Sequence, residues 1–205
     1  MMKPINTIIF DLGGVLIDWN PAYVFREVFQ NDEKMNWFFD NICTSDWNEN
    51  QDAGYPISQA TEDLVVKYPD YERLIRMYYG QWEKMLGGEI SGTVSILKSL
   101  IENPHYKVVA LTNWSSETFP IAQKRFDFLS WFEGIVVSGE EKTRKPFKEI
   151  YEITLSRFDL QPECSLFIDD NLRNIEAAQK LGINGIHFKD PDQLGESLEK
   201  FQINI

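Results

Sequence analysis

Short apolar runs that stop abruptly at polar residues punctuate this chain, and they limit what it can fold into. Thr7-Ile8-Ile9-Phe10 halts at Asp11, and Lys107-Val108-Val109-Ala110-Leu111 halts at Thr112-Asn113. Gly134-Ile135-Val136-Val137 halts at Ser138-Gly139, and Leu166-Phe167-Ile168 at Asp169-Asp170. Runs this short, continuous and rich in β-branched residues predict strands covered on both faces, the habit of a parallel sheet. Gly185-Ile186-His187-Phe188 is a shorter fifth candidate.

Helical segments with recognisable ends separate the later runs. Pro146 stands where the first turn of a helix through Phe147 to Tyr151 would begin. Asn171 precedes a helix over Leu172 to Lys180, with Gly182 just beyond it. Strand and helix in alternation predict an α/β fold, a Rossmann-like parallel sheet core with helices on both faces. Ligands bind to such sheets beyond the carboxyl ends of the strands.

The gap between Phe10 and Lys107 is far longer than a parallel crossover needs, so a segment is inserted there. Ala22 to Phe39, Ile57 to Tyr68 and Tyr71 to Leu86 carry apolar residues at helical spacing, and a helix over Ser91 to Ile101 leads back to the sheet. Residues 17–88 therefore read as an inserted helical cap on a core of residues 1–16 and 89–205, with Gly87-Gly88 as its hinge. At 205 residues the chain suits one substantial domain with such an insertion rather than two full domains.

A formal charge of −12 argues against nucleic acid and anionic membrane surfaces as partners. An anionic small molecule would have to be held locally, by a metal ion, a lysine or backbone amides. Cys43 and Cys164 have no zinc-type spacing, and neither a secretory apolar region nor a membrane span of about 18 apolar residues is evident. A cytoplasmic location is expected, and the sequence leaves the oligomeric state open.

The parallel-sheet reading gathers Asp11, Thr112, Lys145, Asp169 and Asp170 at one sheet edge. A carboxylate at a strand end, followed by Gly13-Gly14, can serve as a nucleophile to which a ligand approaches closely. An anionic nucleophile attacking a phosphoryl group needs a cation. Asp170, with Asp169 beside it, offers the hard oxygen ligands that Mg²⁺ prefers. Lys145 would offset the remaining charge, and the Thr112 hydroxyl could bind phosphoryl oxygens.

FDLGGVL at 10–16, LTN at 111–113, Lys145-Pro146 and FIDDNLRN at 167–174 resemble, in order, the four motifs of the haloacid dehalogenase-like hydrolases. The resemblance spans nearly the whole chain and is closest to a helical-cap branch. That branch includes α-glucose-1-phosphate phosphatase and the N-terminal phosphatase domain of soluble epoxide hydrolase. It implies that Asp11 is a nucleophile forming an aspartyl-phosphate and also a Mg²⁺ ligand, to which Gly13 adds its backbone carbonyl. It further implies phosphoryl binding by Thr112 and Asn113, and ordering of Asp11 and the phosphate by Lys145. Asp170 would be the main acidic metal ligand, Asp169 its neighbouring support and Asn174 an outer group.

The chain departs from the family pattern at Gly13, where phosphatases of this kind usually carry an Asp that transfers protons. Such a group contributes about 10²–10⁴-fold in rate. Its loss favours substrates with undemanding leaving groups, such as sugar-1-phosphates or acyl phosphates. Three functions follow: a Mg²⁺-dependent phosphatase of a small phosphorylated metabolite, a metal-free 2-haloacid dehalogenase, or a phosphate-binding relative with little turnover. Trp19, Trp37, Trp47 and Trp82 read more simply as core than as a sugar platform. His105, His187, Arg26 and Arg73 have no spacing that selects them.

Overall fold

A computed structural model describes residues 3–203. Its elements in chain order are β1 (Thr7–Phe10), β2 (Ile17–Trp19), α1 (Ala22–Phe29), α2 (Asp32–Asn41), α3 (Ser45–Asp52), α4 (Ile57–Lys67), α5 (Glu72–Gly80), β3 (Leu86–Glu89) and α6 (Ser91–Glu102). There follow β4 (Lys107–Thr112), α7 (Phe119–Arg125), β5 (Ile135–Val137), α8 (Ser138–Glu141), α9 (Lys148–Arg157), β6 (Ser165–Asp169), α10 (Leu172–Lys180), β7 (Asn184–His187) and α11 (Pro191–Lys200).

Five strands form one parallel sheet in the order β5-β4-β1-β6-β7. Period-two alternation explains why its strands are apolar throughout. Ile8, Phe10, Val108, Ala110, Leu166 and Ile168 point into one hydrophobic cluster, while Ile9, Val109, Leu111 and Phe167 point into the cluster on the opposite face. The chain builds outward from β1 to β4 and β5, then returns to place β6 on the other side of β1. That reversal opens a crevice at the carboxyl ends of the central strands, where such sheets bind ligands.

Between β1 and β4 the chain forms a helical insertion, α1 to α5, whose two ends are zipped together by the antiparallel ribbon β2–β3. Gly87 and Gly88, expected as a hinge, lie within this ribbon, and a Cβ on Gly87 would come within 2.3 Å of the Asp18 carboxylate. Phe25, Phe38 and Tyr78 pack ring against ring at the centre of the insertion, with Phe25 centroids 5.3 Å from Phe38 and 6.1 Å from Tyr78.

Four local readings change. The stretch from Tyr71 to Leu86 divides into α5, which ends at Gly80, a 3-10 turn over Trp82–Met85 and β3 from Leu86. The apolar stretch from Ala22 to Phe39 breaks at Gln30, which is left-handed at φ 50°, and at Asn31, whose side chain caps α2 by accepting from Lys34 N–H. Pro146 lies outside its helix: α9 begins only at Lys148, and Lys145-Pro146 is a cis peptide. The pattern also passes over α3, a helix with few apolar residues, started by the Thr44 side chain accepting from Trp47 N–H.

α3 is tied to the sheet. Ser138 Oγ, at the end of β5, donates to the Asp52 carbonyl at 2.5 Å, and Glu49 pairs with Arg144 at 2.7 Å and with Arg173. Gly139 allows the loop after β4 to lie against α8, because a Cβ there would sit 2.4 Å from Ser116 N and 2.8 Å from Trp114 O. Backbone atoms cannot swing aside as a side chain can. Gly139→Ala is therefore expected to destabilise the fold by about 1–3 kcal/mol. Urea unfolding checks this as a lowered midpoint with an unchanged slope.

Candidate active site

Each acid of the site is placed by the end of a strand. Asp11 continues β1, with its N–H on the Ile168 carbonyl at 2.9 Å, so its side chain emerges where β1 and β6 meet. Its Oδ1 accepts from Leu12 N–H at 2.7 Å and from Lys145 Nζ at 2.8 Å. Oδ2 has no protein donor among the described residues and is left for chemistry.

Lys145 has no exposed surface. Its Nζ spends its donors on Asp11, on Asp169 Oδ2 at 2.7 Å and on the Leu111 carbonyl at 3.1 Å. Asn113 fixes the lysine's backbone: its Oδ1 accepts from Lys145 N–H at 2.8 Å, and its Nδ2 donates to the Lys145 carbonyl at 3.0 Å. The Asn113 amide, expected on a phosphoryl group, is thus committed to holding Lys145.

Asp169 is also fully buried. Besides Lys145 it accepts from Asn171 N–H at 2.8 Å and from Asn174 Nδ2 at 3.0 and 3.1 Å. It supports Lys145 and the start of α10. Asp170 is the freer acid and lies against Gly14, where a Cβ would be 2.4 Å from its Oδ2. Gly14 also has φ +74°, a conformation that excludes most side chains, so this glycine is needed both for backbone shape and for room.

Burial pushes the Asp11 carboxyl well above the usual carboxylate range; Lys145 pulls it back, while Asp169 and Asp170 add to the rise. Burial also raises Asp170, with Asp169 reinforcing it. In Lys145, burial favours the neutral amine, but Asp11 and Asp169 outweigh it and raise its pKa. Oxygens of Asp11, Asp169 and Asp170 lie within 4.8 Å of one another, a hard, over-acidic donor set that fits Mg²⁺. These pKa directions show the same need for positive charge.

Asp11 and Asp170 stand on one wall of a cavity of about 210 Å³ between the sheet and the insertion. Asp11, Gly13, Asn113 and Asp170 line it from the sheet side, and Asn48 and Asp52 from α3. An adjoining cavity of about 420 Å³ reaches Lys145 and Arg173. Thr112 lines neither; its hydroxyl is buried without a partner among the described residues.

A family model described as haloacid dehalogenase-like hydrolase matches residues 8–188. The chain belongs to that family. This hydrolase is 29% identical to a sesquiterpene phosphatase of Aspergillus oryzae over 93% of both chains. It is 23% identical to a phosphorylated carbohydrates phosphatase of Thermotoga maritima, over 89% of this chain and 84% of that one. A haloacid dehalogenase family enzyme of Bacteroides thetaiotaomicron, solved in complex with magnesium and inorganic phosphate, superposes with a TM-score of 0.66. That structure covers 91% of this chain and 95% of its own, at 23% identity.

The tryptophans divide. Trp19 and Trp82 line the smaller cavity together with Trp114, whose ring meets Trp82 edge-on at 5.4 Å. Trp37 is exposed against Tyr71, and Trp47 packs on Tyr78 and Tyr79 with its indole N–H on the Ala60 carbonyl. Arg26 pairs with Asp32 at the surface, and His187 contacts the Asp170 carbonyl at 2.9 Å. Asn48, Asp52 and Trp114 carry no motif; the capping pattern from Thr44 is the one local signal for the helix bearing the first two.

Lys145→Met keeps much of the volume and removes the charge, so it is expected to cost about 3–5 kcal/mol. Without its counter-charge, Asp11 has a folded-state pKa further above its unfolded value. Stability from that group is then present at low pH and lost as pH rises through the folded value. Denaturation in metal-free buffer should show the deficit of the variant shrinking from about pH 8 to about pH 5.

Proposed function

We propose that this hydrolase is a Mg²⁺-dependent phosphatase that acts on a small phosphorylated metabolite through an aspartyl-phosphate on Asp11. Residues 17–88 serve as its cap. The observation that carries the reading is the lysine shared by two acids, with Lys145 Nζ 2.8 Å from Asp11 and 2.7 Å from Asp169, beside an Asp170 left open at Gly14. One lysine against three carboxylates leaves a negative site. It would repel the carboxylate of a haloacid unless a cation intervened, which disfavours metal-free dehalogenation.

Mg²⁺, held by Asp11, Asp170 and the Gly13 carbonyl with Asp169 in support, would offset phosphoryl charge when bound. Lys145 and Leu12 N–H hold Asp11 by Oδ1, which aims Oδ2 at the phosphorus. As the Oδ2–P bond forms, the bond from phosphorus to the leaving oxygen breaks. Water then cleaves the aspartyl-phosphate and frees Asp11. With its side chain spent on Lys145, Asn113 offers its backbone N–H to a phosphoryl oxygen.

The cavity favours a compact polar leaving group. Trp19, Trp82 and Trp114 line it, with Asn48, Asp52 and Asn113 among them. Aromatic rings beside polar side chains suit a sugar, as in the substrates named for the Thermotoga relative, better than the apolar chain of a sesquiterpene. Phosphate release from sugar phosphates and prenyl phosphates, with Mg²⁺ or with EDTA, tests the reading. Sugar phosphates should be turned over in Mg²⁺ alone, and Asp11→Asn should lower the rate by at least about 10⁴-fold.

A further inference from the structure

Gly13 faces the cavity with open space: a Cβ built on it meets nothing within 4 Å. The proton-transfer group usual at this position is missing, and no neighbouring side chain of the sheet has grown into the gap. Three carboxylates line the cavity, Asp11, Asp170 and Asp52. The first two are taken up by nucleophilic attack and by the metal. Asp52 comes from the opposite wall, at the last turn of α3.

Its position is fixed from two sides. The Asp52 carbonyl accepts from Ser138 Oγ at 2.5 Å, which ties the end of α3 to the end of β5, and its Oδ2 accepts from Asn48 Nδ2 at 3.0 Å. We propose that Asp52, supplied by the helical insertion, is the general acid and base of this hydrolase and takes over the work left undone at Gly13. The proposal rests on the phosphatase reading above.

The steps balance. Asp11 Oδ2 bonds to phosphorus while the bond from phosphorus to the leaving oxygen breaks. The electron pair stays on that oxygen, which takes the proton of the Asp52 carboxyl. A water then attacks the aspartyl-phosphate and gives its proton to the Asp52 carboxylate. The bond from Asp11 to phosphorus breaks, phosphate leaves, and both acids return to their starting states.

The surroundings suit a group that must both give and take a proton near neutrality. Burial, with the charge of Glu49 beside it, pushes the Asp52 carboxyl up to about 7, against the Ser115 backbone amide, Arg144 and Lys145, which pull it down. The facing groups are Glu49 and Asn48 on its own helix, Arg144 and Lys145 before α9, Ser115 after β4, and Tyr78 and Tyr79 on α5. Glu49 is itself paired with Arg144 and Arg173.

The test compares the full-length protein with Asp52→Asn, Gly13→Asp and the double variant, in Mg²⁺. The substrates are a simple alkyl phosphate, whose leaving group needs a proton, and 4-nitrophenyl phosphate, whose leaving group does not. Asp52→Asn should lose about 10²–10⁴-fold in kcat/KM on the alkyl phosphate and much less on the aryl one. Wild-type kcat/KM on the alkyl phosphate should fall as pH rises through about 7. That limb should be absent from the aryl profile and from the variant. Adding Gly13→Asp should restore part of the loss by returning an acid to the open position.

Wild-type turnover combined with an Asp52→Asn variant that keeps its alkyl rate and its pH limb would overturn the role of Asp52 and leave the phosphatase standing. An equal loss on both substrates, not rescued by Gly13→Asp, would also overturn it, since that is the pattern of a purely structural residue. If the wild-type protein released phosphate from neither substrate nor from the sugar phosphates, the phosphatase reading itself would fall, and this proposal with it.

Discussion

A lysine with no exposed surface, 2.8 Å from one carboxylate and 2.7 Å from another, is the contact on which the other features of the site depend. Ions leave water at a cost of several kcal/mol each, so such a cluster persists only where every charge has close partners. Lys145 meets that condition with two acids and a carbonyl, and Asp169 meets it with Lys145, Asn171 and Asn174. The pairing holds the ends of β1, β4 and β6 at one point and leaves one oxygen of Asp11 and the whole of Asp170 uncommitted. On the proposed phosphatase reading these free oxygens are the nucleophile and the metal-binding acid, left available by the way the sheet satisfies a buried charge.

The same economy explains why the Asn113 side-chain amide is bonded to the Lys145 backbone. A buried lysine is useful only if its backbone cannot drift, and the two hydrogen bonds from the Asn113 amide to the Lys145 peptide groups fix it. The tight turn at Gly14 similarly exists because Asp170 occupies the space a side chain would need.

Over this rigid floor the insertion contributes aromatic walls and one further acid. α3 is one of the elements that join the two parts, through Ser138, Arg144 and Arg173. Placing the proton-transfer group on that helix makes the chemistry depend on how the insertion sits on the sheet. A substrate that seats the insertion poorly would meet the nucleophile without the acid. Specificity and rate would then share one physical origin, the fit of the leaving group beneath Trp19, Trp82 and Trp114.

The sequence by itself determined the sheet and its acids. Uninterrupted apolar runs are what strands buried on two faces require, and a polar residue ends each run, so Asp11, Asp169 and Asp170 could be named before any coordinates, while Lys145 came from its place in the family's motif order. It also marked the helix at Asn171, whose cap forms as expected. Tertiary structure decided the rest. Trp37 and Trp47 share the composition of Trp19 and Trp82, yet only packing sends the latter pair to the cavity. α3 shows too few apolar residues to announce itself, because it is held by a cap, ion pairs and a hydrogen bond from Ser138 rather than by a hydrophobic stripe. Asp52 gains its character from burial and from charges distant in the chain, and no local pattern encodes a field that exists only once those residues have come together.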